Sequence, residues 1–188
     1  IPVTREILAT GPEEAVAGAS QIGYPVVMKA VCRGLVHKSD IGAVKLGLNS
    51  GDAVAEAYAQ ISEAVMRAIP NGALDGCLVQ EMRPPKAELI LGIKRDPQFG
   101  PVVVCGAGGV LVELVRDTQM ALAPISTAKA HAMLGRLAVW PMLEGYRGAP
   151  PLDIAAAANA LSALSWLAHD NADRLAELDI NPLGVGLA

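Results

Sequence analysis

Apolar residues along this chain either alternate with polar ones or recur every three to four positions, and the two periods divide it into short strands and helices. In "DAVAEAYAQISEAVMRAI" (52–69), Val54, Tyr58, Ile61, Val65 and Ile69 repeat at helical spacing until turn-forming glycines end the segment. "PEEAVAGASQI" (12–22) predicts a second helix, with Thr10 and Glu13 at capping-box spacing before it and Gly23 and Pro25 closing it. "STAKAHAMLGRL" (126–137) and "DIAAAANALSALSWLAH" (153–169) predict two more, the second with Ile154, Ala158, Leu161, Ser165 and Ala168 on one face. Strands are expected over 25–31, 43–48, 77–82, 87–95 and 101–106, and over 176–185, where Pro182 stops the last one. Helices interleave with strands, so the class is α/β (α+β) in two lobes, 1–82 and 83–188, meeting at the "RPPK" segment. No internal repeat or low-complexity linker is visible.

Composition narrows the function. The 188 residues carry a net charge of −4 and only 3% aromatics, without a basic stripe, which leaves a nucleic-acid surface little to work with. Hydrophobic residues reach 52%, but charge or glycine breaks each apolar run before the roughly 20 residues of a membrane span. Cys32, Cys77 and Cys105 are odd in number, far apart and set in apolar runs, which suits buried thiols in a reducing compartment. The expectation is a piece of a larger cytoplasmic protein, with neither nucleic acid nor membrane as partner.

Candidate chemistry sits at the ends and in the middle of the strands. The loop in "GLVHKSDIGAVKLG" (34–47) places His37, Lys38, Ser39 and Asp40 in a row, more polar groups than chain reversal needs. Lys29 lies inside an apolar strand, where a cation either snorkels to water or meets an anion such as phosphate. Glu81 and Glu88 flank a Pro-Pro turn, where ordinary strand-end charges also occur. Asp179 and Asn181 alternate with Ile180, so a carboxylate and an amide oxygen share one face, a donor set suited to a hard cation such as Mg²⁺. "CGAGGVLVELVRD" (105–117) reads equally as an anion-approaching turn or as glycines that let two elements pack; Glu113 and Asp117 within it receive no role. Arg95 and Asp96 read as a structural pair at a turn, and His131 and His169 as surface or packing residues.

Together "GYPVVMK", "HKSDIGAVKLGL", "LVQEM", "AELILGIKRDPQFGPVVVCGAGGVLVEL", "MLEGYRG" and "AELDINPL" resemble, in order and over nearly the whole chain, the ATP-grasp domain of NDP-forming acyl-CoA synthetases, relatives of the succinyl-CoA synthetase β subunit. The resemblance implies a two-lobed ATP-grasp fold truncated at both ends, and part of an ADP-forming acid–thiol ligase that uses ATP/ADP and Mg²⁺. It implies that Lys29 contacts phosphate and adenine, that the backbone of Glu81 and Met82 reads the adenine edge, and that Glu88 binds the ribose hydroxyls. Asp179 and Asn181 match the magnesium-binding strand, and loop 33–45 matches a cover over the phosphates. Within that loop His37 matches a phosphoryl-carrying histidine, Lys38 and Ser39 would meet phosphate oxygens, and Asp40 would orient the loop. The expected partner is a CoA-ligase (α-type) domain or subunit, through which acyl-CoA is handled. A regulatory domain of a protein lysine acetyltransferase is the alternative; an ATP-grasp ligase for an unrelated carboxylate fits the histidine loop less well. Three departures stand out: Gly42-Ala43 in place of Gly-Gly, Ala121 in place of an arginine, and no further strand bearing a magnesium-binding aspartate, so the metal site is expected to be incomplete here.

Overall fold

The computed structural model describes residues 1–32, 41–69, 74–109 and 117–187. The expected loop residues His37, Lys38, Ser39 and Asp40, and Glu113, lie outside them. The chain divides into two compact units, Ile1–Arg83 and Pro84–Ala188.

In the first unit, β1 (Glu6–Ala9), β2 (Val26–Val31), β3 (Val44–Leu48) and β4 (Gly76–Glu81) form an antiparallel sheet in the order β1-β4-β2-β3. Helices α1 (Pro12–Ile22) and α2 (Gly51–Ala68) pack on it. Alternation along the strands sends Val26, Met28, Ala30, Cys77 and Val79 into one cluster with Ala15, Ala19, Val54, Ile61 and Val65 of the helices. The opposite face is left to Lys29, Leu78 and Gln80. Ser50 caps α2 by accepting from Ala53 N at 3.2 Å, and Asp52 and Arg67 sit at the ends that suit their charges. The expected capping box on α1 does not form. Gly11 is the N-cap, and Thr10 instead donates from its N–H and its hydroxyl to Glu14, each at 2.8 Å, which lowers the Glu14 pKa. Ala43, one of the departures noted above, is fully buried in this core, and its carbonyl accepts from Ala30 N at 2.9 Å.

The second unit holds β5 (Ala87–Asp96), β6 (Gly100–Ala107), β7 (Thr118–Leu122), α3 (Thr127–Leu134), α4 (Trp140–Glu144), α5 (Ile154–Asp170) and β8 (Glu177–Val185). Its antiparallel sheet runs β7-β6-β5-β8. Leu89, Leu91, Ile93, Val103 and Cys105 pack with Met133 and Leu134 of α3 and Leu161 and Leu164 of α5. Two buried hydroxyls fasten α5 to the chain beside it: Ser165 Oγ accepts from Ile125 N at 2.9 Å, and Ser162 Oγ donates to Ile125 O at 2.9 Å. Both serines are thereby satisfied, as buried polar groups must be.

Several local expectations need correction. β8 continues through Pro182 because it is an edge strand with an irregular register between Leu89/Leu183 and Leu91/Ile180, so the missing N–H interrupts no ladder bond the sheet requires. Arg95 and Asp96 do not pair: Arg95 Nη1 donates to the carbonyls of Ala172 and Asp173, both at 3.0 Å, just beyond α5. Asp96 accepts from the N–H groups of Gln98 and Phe99 in the β5–β6 turn, which lowers its pKa. His131 and His169 each have an aromatic partner, Trp140 and Trp166, at edge-on geometry. β1, β7 and α4 are elements the periodicity did not announce.

Candidate functional site

Lys29 projects from the face of the first sheet opposite the helices. Its Nζ donates to Gln80 Oε1 at 2.8 Å, and Gln80 Nε2 donates to Glu6 Oε2 at 3.1 Å, a chain running across β2, β4 and β1. The register makes this possible: Gln80 stands opposite Val27 on one side and Glu6 on the other, one diagonal step from Lys29. Among the described residues Lys29 is therefore neither a lone strand cation nor one half of an ion pair. Of its three N–H donors, one is taken by a neutral amide.

At the end of β4, Glu81 is spoken for. Its carboxylate takes Arg83 Nε at 2.7 Å and Arg5 Nη2 at 3.4 Å. Hydrogen bonds from Arg5 and then Arg83 hold its pKa down at about 2. The backbone N–H groups are also committed, Glu81 N to Arg5 O at 2.9 Å and Met82 N to Pro25 O at 3.3 Å. What this segment can still offer a base edge is carbonyl oxygen.

The second unit carries its polar groups on the sheet face away from α3 and α5. Asp179 and Asn181 are exposed on β8, while Leu178 and Ile180 between them pack toward the core. Neither polar side chain has a hydrogen-bond partner among the described residues. Asp179 lies directly opposite Gly92 of β5, and a Cβ there would come within 3.0 Å of Asp179 Oδ1. Glu88 projects from the same face of β5, at even spacing from Gly92. The glycine-rich turn closes on it: Gly108 N donates to Glu88 O at 2.8 Å, and Gly109, at φ +71°, would place a Cβ 2.6 Å from Glu88 Oε2. Of the two readings of those glycines, their described part performs close packing, against Glu88. Asp117 accepts from Ala138 N at 2.7 Å. Ala121 packs toward the helix-covered cluster, so the absent arginine removes no cation from the face that carries Asp179.

Among the described residues no three His, Cys, Asp or Glu side chains gather around one point. Asp179 and Asn181 nevertheless supply two oxygen donors on one strand face. That suits Mg²⁺, which is held by one or two protein oxygens and completes its shell with phosphate and water. Cys77 and Cys105 are buried free thiols, with pKa values pushed up to about 11 and about 12 mainly by burial, and present no nucleophile. Sequence reasoning missed Gln80, Glu6 and Gly92. The signal was the strand period, which puts Leu78 and Gln80 on one face, but reading it requires knowing that β4 lies beside β2.

The family model for an ATP-grasp domain matches residues 1–187. An ADP-forming acetate–CoA ligase I of Archaeoglobus fulgidus is 42% identical over 95% of this chain, which spans 26% of that protein. The β subunit of the ADP-forming acetate–CoA ligase I of Pyrococcus furiosus is 38% identical over 97% of this chain and 78% of the subunit. A solved structure of the dinucleotide-forming acetyl-coenzyme A synthetase 1 of Candidatus Korarchaeum cryptofilum, in complex with coenzyme A, Ca-AMPCP and HgCl+, superposes with TM-score 0.91 at 45% identity, covering 100% of this chain and 82% of that one. A second structure of that synthetase holds Mg-AMPPCP and has its phosphohistidine segment pointing towards the nucleotide site; it superposes with TM-score 0.85 at 42% identity, covering 99% of this chain and 79% of that one.

Proposed function

Because this chain belongs to the ATP-grasp family, in the branch of the ADP-forming acyl-CoA synthetases, we propose that it binds ATP or ADP with Mg²⁺ and passes a phosphoryl group to and from a histidine. Acyl transfer to CoA would then belong to a CoA-ligase domain or subunit. The observation that carries this reading is the pair Asp179 and Asn181, without partners among the described residues and on one exposed face of β8. A carboxylate and an amide with no hydrogen-bond partner among the described residues suit a ligand, and these are the donors a phosphate-bound Mg²⁺ takes.

The roles follow from what each group has left to give. Lys29 keeps two N–H donors that no described residue takes, available for a phosphate oxygen. Glu88, acceptor-only when ionised, suits ribose hydroxyls, and the carbonyls of Glu81 and Met82 suit the exocyclic amine of adenine. Mg²⁺, when bound, would supply charge neutralisation on the phosphate oxygens. His37, Lys38 and Ser39 lie outside the described residues, and their parts stay as the family resemblance implies. His37 would take the phosphoryl group through an imidazole nitrogen as the P–O bond to ADP breaks, and Lys38 and Ser39 would meet the phosphate oxygens. In this reading the lobes are 1–82, with the covering loop 33–45, and 83–188. The protein acts in the cytoplasm on small molecules. The relatives found are ligases, and they lend the regulatory acetyltransferase reading no support.

Calorimetric titration of ATP and ADP with Mg²⁺ into the full-length protein, beside Lys29→Ala and Asn181→Ala, tests this. Binding weakened about tenfold or more by each substitution is expected. An absence of nucleotide binding by the parent protein overturns the proposal.

A further inference from the structure

We infer that Gln80 is a positioning residue for Lys29, held in its working orientation by Glu6. The inference rests on the reading of Lys29 as a phosphate-binding lysine. An amide can accept only through oxygen and donate only through nitrogen. Lys29 Nζ, a pure donor, lies 2.8 Å from Oε1, and the Glu6 carboxylate, a pure acceptor, lies 3.1 Å from Nε2. Both neighbours therefore demand the same orientation of the amide, and a flipped Gln80 would face a cation with N–H and an anion with oxygen. The device fixes the long lysine side chain without neutralising it. A carboxylate at position 80 would pair with the ammonium and compete with an incoming phosphate, whereas the amide takes one N–H and leaves the charge and two donors to the ligand. Glu6, an exposed residue two strands away, sets the amide without touching Lys29's bond itself. Neither Gln80 nor Glu6 carries a role in the reading above.

The test is the affinity of the full-length protein for ATP with Mg²⁺, and for adenosine, in Gln80→Met, Lys29→Ala, their double variant and Glu6→Gln. Methionine keeps the length and apolar stem of glutamine and deletes both bonds. Gln80→Met is expected to weaken ATP binding about tenfold while adenosine binding stays within about twofold, and to add less than about twofold in the Lys29→Ala background. Glu6→Gln, at an exposed position that carries no fold risk, is expected to weaken ATP binding about threefold with adenosine unchanged. ATP affinity intact in Gln80→Met and Glu6→Gln but lost in Lys29→Ala overturns the inference alone. So do losses that add in the double variant, or equal losses for ATP and adenosine. No ATP binding by the parent, or full affinity in Lys29→Ala, overturns the functional reading and this inference with it.

Discussion

Gly92→Ala should make the protein slightly more stable and its magnesium-dependent nucleotide binding worse. Gly92 sits opposite Asp179 in the β5–β8 ladder, and an added Cβ would stand 3.0 Å from Asp179 Oδ1, with Leu178 O at 3.8 Å and Val104 Cβ at 3.9 Å in ordinary contact. The backbone there is not in the left-handed region, so alanine fits, and the loss of unfolded-chain freedom stabilises the fold by about 0.4–1 kcal/mol. The carboxylate must retreat by roughly 0.5 Å to reach normal contact distance. In the free protein the exposed carboxylate can turn to another rotamer well; holding it instead about 30° from a well beside the new Cβ, as its present orientation would require, costs about 0.5–1.5 kcal/mol. If Asp179 holds Mg²⁺ only in its present orientation, that cost appears in the affinity for the magnesium nucleotide as a loss of about two- to twelvefold. Calorimetric titration of ADP at several Mg²⁺ concentrations, with a thermal melt of the same sample, reads both signs at once. A variant that melts no lower and keeps the parent's magnesium dependence refutes the role given to Asp179. So does an equal loss of affinity with and without Mg²⁺.

Other outcomes follow from the same geometry. Ser165→Ala removes the acceptor of the buried Ile125 N–H and should lower stability by about 1–3 kcal/mol in urea unfolding. Gly109→Ala forces a left-handed alanine at φ +71° against Glu88 Oε2, costing about 1–2 kcal/mol in backbone strain and shifting the carboxylate, so both melting temperature and ATP affinity should fall. Glu81 has its pKa lowered from 4.5 to about 2 in the folded protein. A depressed carboxyl binds fewer protons folded than unfolded, so its stabilisation is complete above about 4.5 and lost as pH falls toward 2; Glu81→Gln should flatten the acid limb of the stability curve in that window, leaving the variant less stable than the parent near neutrality and equal to it near pH 2.

The main helices and the placement of Lys29 on β2 and of Asp179 and Asn181 on β8 were legible because each rests on local pattern. Val54, Ile61 and Val65 repeat at a helical period and are the residues buried in α2. Asp179 and Asn181 alternate with packed neighbours and are exposed together. What was not legible depends on neighbours distant in sequence. Gln80 reads as an unremarkable strand polar residue until β4 is placed between β1 and β2, which brings it to Lys29, 51 positions away. Pro182 reads as a strand end unless β8 is known to be an edge. β1 spans four residues, too few for alternation to register, and β7 exposes Met120 and Leu122, apolar residues on the side where a pattern reader expects polar ones.

Three glutamate or aspartate side chains in this chain meet two different fates, and the difference decides which can serve a ligand. Glu81 is clasped by two arginines, and its depressed pKa reports a carboxylate whose acceptor capacity is already used. Asp179 and Glu88 face glycines instead: Gly92 leaves room beside one, and Gly108 and Gly109 bring only backbone beside the other. A side chain at Gly92 or Gly109 would crowd the carboxylate it faces, and one at Gly108 would strike the Glu88 backbone. Leaving out the side chain keeps the acid upright and unpaired at the cost of some strand rigidity, since glycine weakens a strand interior. That cost serves no purpose for an acid whose only task is solubility. It does serve one whose lone pairs must remain open until a cation or a hydroxyl arrives, so in the proposed site the glycines of the second unit would matter as much as the acids they face.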